Sequence, residues 1–217
     1  YEKYIDKLSI RSKNPYITHY PILIILCRIL KLKKIVEFGS GQYSTINFAN
    51  KNIFPSLSEI VSYEDDFFWY KKIKKLIKNK KIKYFYVSQI SNLIKSLNLK
   101  KFDLIFVDNS MNSNERIQTI QNLAKKNLLK SIVFVHDFEY YPYREASKKF
   151  KFSYRFKSLN PNSGILWNDK KLNFDLLKKI DNYVGKIKLR KSIGSYNKFF
   201  EDKKTEIKIK NFVNDKN

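Results

Sequence analysis

Four places in this chain put chemically capable side chains where a strand reading ends. The first is residues 34–45, KIVEFGSGQYST. Ile35, Val36 and Phe38 suit a buried strand. Gly39, Ser40 and Gly41 follow, so two of the chain's five glycines fall here. Glycine lets the backbone take positive φ and lets a ligand approach bare amide groups. Ser44 or Thr45 then caps a helix expected over 44–50. Strand, glycine turn and helix start together offer free N–H groups to an anionic or polar ligand. Glu37 adds a carboxylate inside the strand, which is costly unless it is used.

The second place is Glu64, Asp65 and Asp66, an acidic triplet in a basic chain. It precedes a helix expected over 67–79. Asp66 reads as a favourable charge at the helix start, which leaves Glu64 and Asp65 for a ligand. The third is Asp108, which follows four apolar residues and falls at the carboxyl end of a strand, where ligands sit in open α/β sheets. The fourth is His136 with Asp137, after a strand over 131–135. A histidine with an ordinary pKa can take a proton from a hydroxyl at neutral pH, with Asp137 orienting the ring. Asp108 and Asp137, with Asn109, are the alternative as an Mg²⁺ site, because carboxylate and amide oxygens suit that ion. Arg116 opens a helix over 116–129 and could grip an anionic substrate. Tyr140, Tyr141 and Arg144 suit a sugar face and a carboxylate or phosphate. Asp103 and His19 read as structural, His19 within a segment that could cover a pocket.

These residues need a scaffold. Apolar runs at 34–38, 59–63, 83–87, 102–107 and 131–135 alternate with helical patterns at 67–79, 90–99 and 116–129, which predicts an α/β fold with a mostly parallel sheet. Two further strands, 152–159 and 164–168, meet at a turn over Asn160, Pro161, Asn162 and Ser163. A mostly apolar helix is expected over 21–32 with Pro21 in its first turn, and another begins near Leu172. The chain divides into a leading helical segment (1–33), a ligand-binding domain (34–168) and a basic C-terminal helix with an appendage (169–217). It opens on Tyr1 and reads as a piece of a longer protein.

Composition narrows the class. The 217 residues are 43% hydrophobic, enough for one full core. No apolar run reaches about 18 residues, so no spanning helix is expected; peripheral contact with a membrane surface stays open. A single cysteine rules out an internal disulfide or a cysteine-built zinc site and fits the cytoplasm. The formal charge is +24, but only six of the 44 basic residues are Arg. Arg reads guanine and clamps phosphate bidentately, so nucleic acid is not the favoured partner. An acidic substrate or the inner membrane surface fits the charge as well. Gly39-x-Gly41 does not complete the G-x-G-x-x-G dinucleotide fingerprint, because Ser44 stands in the third place.

E-F-G-S-G-x-x-S-T at 37–45 resembles the first motif of class I S-adenosylmethionine (SAM)-dependent methyltransferases, and KFDLIFVDNS and the strand ending in His136-Asp137 resemble later ones. The resemblance covers residues 21–168. It implies a Rossmann-like seven-stranded sheet in the order 3-2-1-4-5-7-6, helices on both faces, and SAM as cofactor. It implies that Glu37, Gly39, Ser40, Gly41, Ser44 and Thr45 wrap the amino-acid end of the cofactor. Glu64, with Asp65, would accept both ribose hydroxyls, and Trp69 would lie beside the adenosine. The family's acid for the adenine amino group is missing here, which leaves Ser88 or Gln89. Asp108 would lie beside the sulfonium, with His136 or Asp108 as base. More narrowly, the YEDD-x-x-W, FDLIFVD and VFVHD segments resemble the glucuronoxylan 4-O-methyltransferases and related polysaccharide-biosynthesis proteins, which implies a sugar hydroxyl as acceptor. The rival readings are an RNA methyltransferase using the basic surface and a non-catalytic SAM-fold module.

Overall fold

The computed structural model describes residues 10–11, 14–109, 113–169, 172–187, 193–202, 205 and 209. Seven strands form its main sheet: β1 (Lys34–Phe38), β2 (Glu59–Glu64), β3 (Ile82–Tyr86), β4 (Leu104–Val107), β5 (Ile132–His136), β6 (Phe152–Phe156) and β7 (Ser163–Trp167). Their spatial order is β3-β2-β1-β4-β5-β7-β6, the order the family resemblance implied. The first five run parallel, and β7 pairs antiparallel with both β5 and β6. A two-residue parallel ladder joins Ile10–Arg11 to Leu159–Asn160.

Parallel strands covered on both faces read as continuous apolar runs, and β4, LIFV, is buried at every position. Side chains alternate across it. Leu104 and Phe106 join one core cluster, Ile105 and Val107 the other. The first core is closed by helices α1 (His19–Ile29), α6 (Phe174–Lys186) and α7 (Ile193–Glu201), the second by α3 (Ile90–Ser96), α4 (Ser113–Ala124) and α5 (Tyr141–Ser147). Helix α2 (Phe67–Leu76) lies beside β2 and the edge strand β3. Helix α1, assigned from sequence to a leading segment, is buried from His19 to Cys27 and shares one core with the sheet and α6. Each large apolar side chain so buried contributes about 1.5–3 kcal/mol. Residues 1–9, most of the C-terminal appendage, and residues 110–112 of the loop after Asp108 lie outside the described residues.

Three expected elements differ: α4 begins at Ser113 rather than Arg116, the strand expected over 152–159 stops at Phe156, and one helix is absent. The helix over 44–50 is a run of turns across 42–49. Asn47 donates from its side chain to the Gln42 carbonyl at 3.2 Å, and Asn52 N–H bonds to Asn50 Oδ1 at 3.0 Å. Asparagine side chains that satisfy nearby backbone compete with the helical ladder. No helix among the described residues is long and apolar enough to cross a membrane.

Candidate active site

The site lies at the carboxyl ends of β1, β2, β4 and β5. Gly39 follows β1 with φ +87°, and its flat surface meets β4: a Cβ there would stand 2.3 Å from the Asp108 carbonyl. Both facts require glycine. Gly41 differs. A Cβ there would press on the Ser44 hydroxyl at 3.0 Å and touch the Tyr43 and Ser44 amides at an ordinary 3.7 and 3.8 Å, so neither conformation nor a rigid clash demands glycine at this point. The Gly41 amide donates to Thr45 Oγ1 at 2.9 Å, and Thr45 passes its own proton to Glu37 Oε2 at 2.5 Å. Ser62 donates to the same oxygen at 2.6 Å. Glu37 Oε1 is buried with no hydrogen-bond partner among the described residues. Burial pushes the Glu37 pKa up to about 7 against the hydroxyls that hold it down.

Glu64, ending β2, is fully engaged. Its Oε2 accepts from Ser40 N–H at 2.8 Å and Ser40 Oγ at 2.6 Å, and its Oε1 from the amides of Asp65 and Asp66 at 2.9 Å each. A carboxylate offers roughly four lone-pair directions, so this set fills it. Asp65 is half-buried beside it; burial and then the Glu64 charge raise its pKa to about 6. Asp66 caps α2 by accepting from Trp69 N–H at 2.8 Å, as expected. The Trp69 indole N–H donates to the Ser40 carbonyl at 2.7 Å, which ties α2 to the glycine turn.

On the other side of β1, one guanidinium organises the acids. Arg116, from the first turn of α4, is 7% exposed. Its Nη2 reaches Asp108 Oδ1 at 3.1 Å and its Nη1 reaches Asp137 Oδ2 at 3.0 Å. Its Nε donates to the Asn109 carbonyl at 2.8 Å. The two carboxylates and the Asn109 amide, read from sequence as an alternative Mg²⁺ set, thus have an internal cation between the acids. Asp137 sits at φ +56°, a conformation Asp tolerates better than most residues.

His136 ends β5 and is buried. Its Nε2 lies 3.1 Å from Thr18 Oγ1 and its Nδ1 3.2 Å from Asp108 Oδ1. The Thr18 hydroxyl also reaches the Pro15 carbonyl at 3.2 Å, so its one proton serves either that carbonyl or the His136 ring. Burial opposes charge on this ring, but Asp137 and Asp108 outweigh burial and raise its pKa to about 9. Burial likewise works against the Asp108 carboxylate, but His136 and Arg116 hold its pKa down to about 2. His19, at the start of α1, packs edge-on against His136 with centroids 4.7 Å apart.

No family model matches the sequence, and no curated protein is significantly similar to it. Solved structures do match. The crystal structure of spermidine synthase from Thermotoga maritima aligns at TM-score 0.53 and 10% identity, over 88% of this chain and 73% of that one. The SAH-bound methyltransferase PaMTH1 of Podospora anserina aligns at 0.51 and 16%, over 68% and 77%. A putative caffeoyl-CoA O-methyltransferase from Staphylococcus aureus aligns at 0.50 and 12%, over 66% and 79%. The fold is that of the SAM-dependent methyltransferases.

Within this fold the strand ends bring together Glu37, Gly39, Ser40, Gly41, Ser44 and Thr45 with Glu64 and Asp65, and separately Asp108, Arg116, His136 and Asp137. Ser44 is buried and its carbonyl accepts from Phe48 N–H at 3.1 Å. Ser88 is exposed. Gln89 donates to Glu115 Oε2 at 3.3 Å, and Glu115 also accepts from Ser91 N–H at 2.8 Å. Of the expected substrate contacts, Tyr140 stacks edge-on with Tyr143 at 4.9 Å, and Arg144 lies over the exposed Tyr141 ring at 5.4 Å. Sequence reasoning missed Thr18, Ser62, Tyr84 and Glu115. Tyr84 Oη lies 2.7 Å from Ser40 Oγ. Only Thr18 carried a signal, a hydroxyl beside the histidine of an apolar helix.

Proposed function

We propose that the protein is a SAM-dependent O-methyltransferase whose acceptor is a hydroxyl of a sugar or cell-surface glycan precursor. The observation that carries the reading is the convergence of Glu37, Glu64 and Asp65 around the Gly39 turn in a chain of net charge +24. SAM carries a sulfonium and an ammonium against one carboxylate. Concentrating acids at one sheet edge of a basic protein supplies opposite charge where that ligand's cations would lie. The donor set fits in detail. The unpartnered Glu37 Oε1 offers an acceptor, and the half-buried Asp65 is the acid left for ribose hydroxyls where Glu64 is saturated.

Bound SAM supplies an electrophilic methyl, so the protein's tasks are positioning and accepting one proton. The acceptor oxygen bonds the methyl carbon as the carbon–sulfur bond breaks, leaving S-adenosylhomocysteine, and the hydroxyl proton passes to the protein. With its pKa near 9, His136 is already charged at neutral pH and acts as the electrostatic partner of Asp108. Asp108 is the more exposed of the two, 26% against 5% for His136, but with its pKa held down to about 2 it is a weak base, so the proton is taken by the pair once His136 has given up its own. The Asp108–His136 pair therefore gains basic strength as pH rises toward 9. Tyr141 and Arg144, stacked on each other at 5.4 Å, are the residues assigned in this reading to the sugar face and to an anionic group. The single buried cysteine fits work in the cytoplasm, with the basic surface turned to an anionic glycan or to the inner membrane.

Isothermal titration with SAM and S-adenosylhomocysteine tests the reading. Micromolar binding of both supports it, and methyl transfer from labelled SAM to nucleotide sugars or capsular oligosaccharides identifies the acceptor. Absence of binding to either compound removes the proposal. Transfer to RNA instead of sugar would replace the acceptor and keep the cofactor.

A further inference from the structure

His19 is the unexplained residue of this site. It is 2% exposed, and neither ring nitrogen has a hydrogen-bond partner among the described residues. Buried polar atoms without partners are rare and costly. The ring sits against His136 at 4.7 Å and against Phe106 at 5.1 Å. One ligand atom each from His19, Asp108 and His136 lies within 4.8 Å of the others.

The neighbouring hydrogen bonds point the same way. His136 Nε2 is engaged by the Thr18 hydroxyl at 3.1 Å, and Nδ1 is the atom facing Asp108 Oδ1 at 3.2 Å. A lone pair cannot face a carboxylate oxygen at that distance unless a cation lies between them. A proton on Nδ1 is one such cation; a metal ion is the other. His19, with a free nitrogen at the same spot, has no use for the proton and does have a use for the metal.

We propose that His19, His136 and Asp108 form a site for a divalent transition-metal ion of the zinc class. Two imidazoles and one carboxylate suit zinc, and nitrogen ligands disfavour Mg²⁺. Tetrahedral ligands at about 2.0–2.1 Å from zinc stand roughly 3.4 Å apart, so ligand atoms now within 4.8 Å of one another close by up to about 1.4 Å through side-chain rotation. The outer partners of such a site are in place. Thr18 holds the far nitrogen of His136, and Arg116 pins Asp108. The Asp108 contacts described here run through Oδ1. Three protein ligands leave a fourth position unfilled by the triad, of which Asp108 is the partly exposed member, the pattern of a reactive rather than a purely structural zinc site. What such an ion supplies there is Lewis acidity. This site is distinct from the Asp108–Asp137–Asn109 oxygen set, and it stands without the methyltransferase reading.

The full chain, stripped of metal with a chelator, is titrated with Zn²⁺ and, separately, Co²⁺ and Mg²⁺ in the absence of SAM. The expected result is one Zn²⁺ per chain with micromolar or tighter affinity, visible d–d absorption on adding Co²⁺, and no Mg²⁺ binding at the same concentrations. His19→Ala should weaken Zn²⁺ binding at least 100-fold and abolish the Co²⁺ spectrum. His19→Phe should do the same while keeping the ring contacts with Phe106 and His136, so a folding defect in His19→Ala does not spare the idea. The proposal is overturned if the wild-type chain binds no stoichiometric Zn²⁺, or if His19→Phe binds it within twofold of wild type.

Discussion

Replacing Arg116 with Met is the sharpest perturbation the site offers. The methionine fills much of the same volume but leaves Asp108 and Asp137 facing each other without the guanidinium that lies 3.1 and 3.0 Å from them. It also orphans the Asn109 carbonyl, now bonded at 2.8 Å. Removing one partner of a buried ion pair costs about 3–5 kcal/mol, because the remaining charge keeps its desolvation penalty. At roughly 2–4 °C per kcal/mol for a chain of this size, the melting temperature should fall by roughly 10 °C or more at pH 7. The loss should shrink as the pH drops and the stranded carboxylates protonate. Urea unfolding across pH, read by far-UV circular dichroism, measures both. A second readout tests the guanidinium as an internal cation. Mg²⁺ should leave the wild type unchanged but restabilise Arg116→Met, by about 2.7 kcal/mol at 100 times its Kd. Arg116→Lys keeps the charge but not the fork, and should fall between the two. A loss under about 1 kcal/mol in Arg116→Met, with no pH dependence, would refute the claim that this residue balances the acids.

Stability should fall with rising pH in two stages. The folded-state pKa of Glu37 is raised from 4.5 to about 7, so its penalty appears above pH 4.5 and is complete above pH 7, at about 3 kcal/mol; Glu37→Gln should flatten this stage in urea titrations. The contribution of His136, raised from 6.5 to about 9, is whole below pH 6.5 and lost as pH passes 9, again about 3 kcal/mol. Gly39→Ala should cost several kcal/mol or abolish folding, by clash and by φ, whereas Gly41→Ala should change the melting temperature little and weaken SAM binding at least tenfold by calorimetry. Asp65→Asn should leave stability equal or slightly higher and weaken SAM binding. Glu64→Gln should instead destabilise by about 1–3 kcal/mol, because an amide nitrogen would face backbone donors.

Much of the sheet is legible in the sequence because its signals are local. Leu104–Val107 can hardly be anything but a strand covered on both faces, and Asp103, expected to be structural, accepts from the amides of Lys33 and Lys34 at 2.7 and 2.9 Å. The failures share a cause. The 44–50 segment reads as helix because its apolar spacing fits, but the turns are held by asparagine side chains that periodicity does not weigh. Glu64 and Asp65 are adjacent and chemically alike; which one is consumed by Ser40 and which stays open depends on where the strand stops, one residue later than expected. His19 looks structural because its partners, Asp108 and His136, lie some ninety residues or more away and meet it only when α1 packs on the sheet. Arg116 could be read equally as surface or as substrate contact, since nothing local shows that α4 starts beside the ends of β4 and β5.

On the proposed reading, the placement of cations separates two tasks along one sheet edge. Around Gly39, the acids Glu37, Glu64 and Asp65 are met by hydroxyls, amides and one another but by no basic side chain in the contacts described, so this half keeps its negative potential for a cationic ligand. Across β1, Asp108 and Asp137 are met by Arg116 and His136 and are nearly neutral as a set. A uniformly acidic edge would bind a sulfonium strongly but would hold the acceptor's oxygen, which gains negative charge as its proton leaves, at a disadvantage. The buried Arg116 offsets that penalty on the transfer side alone.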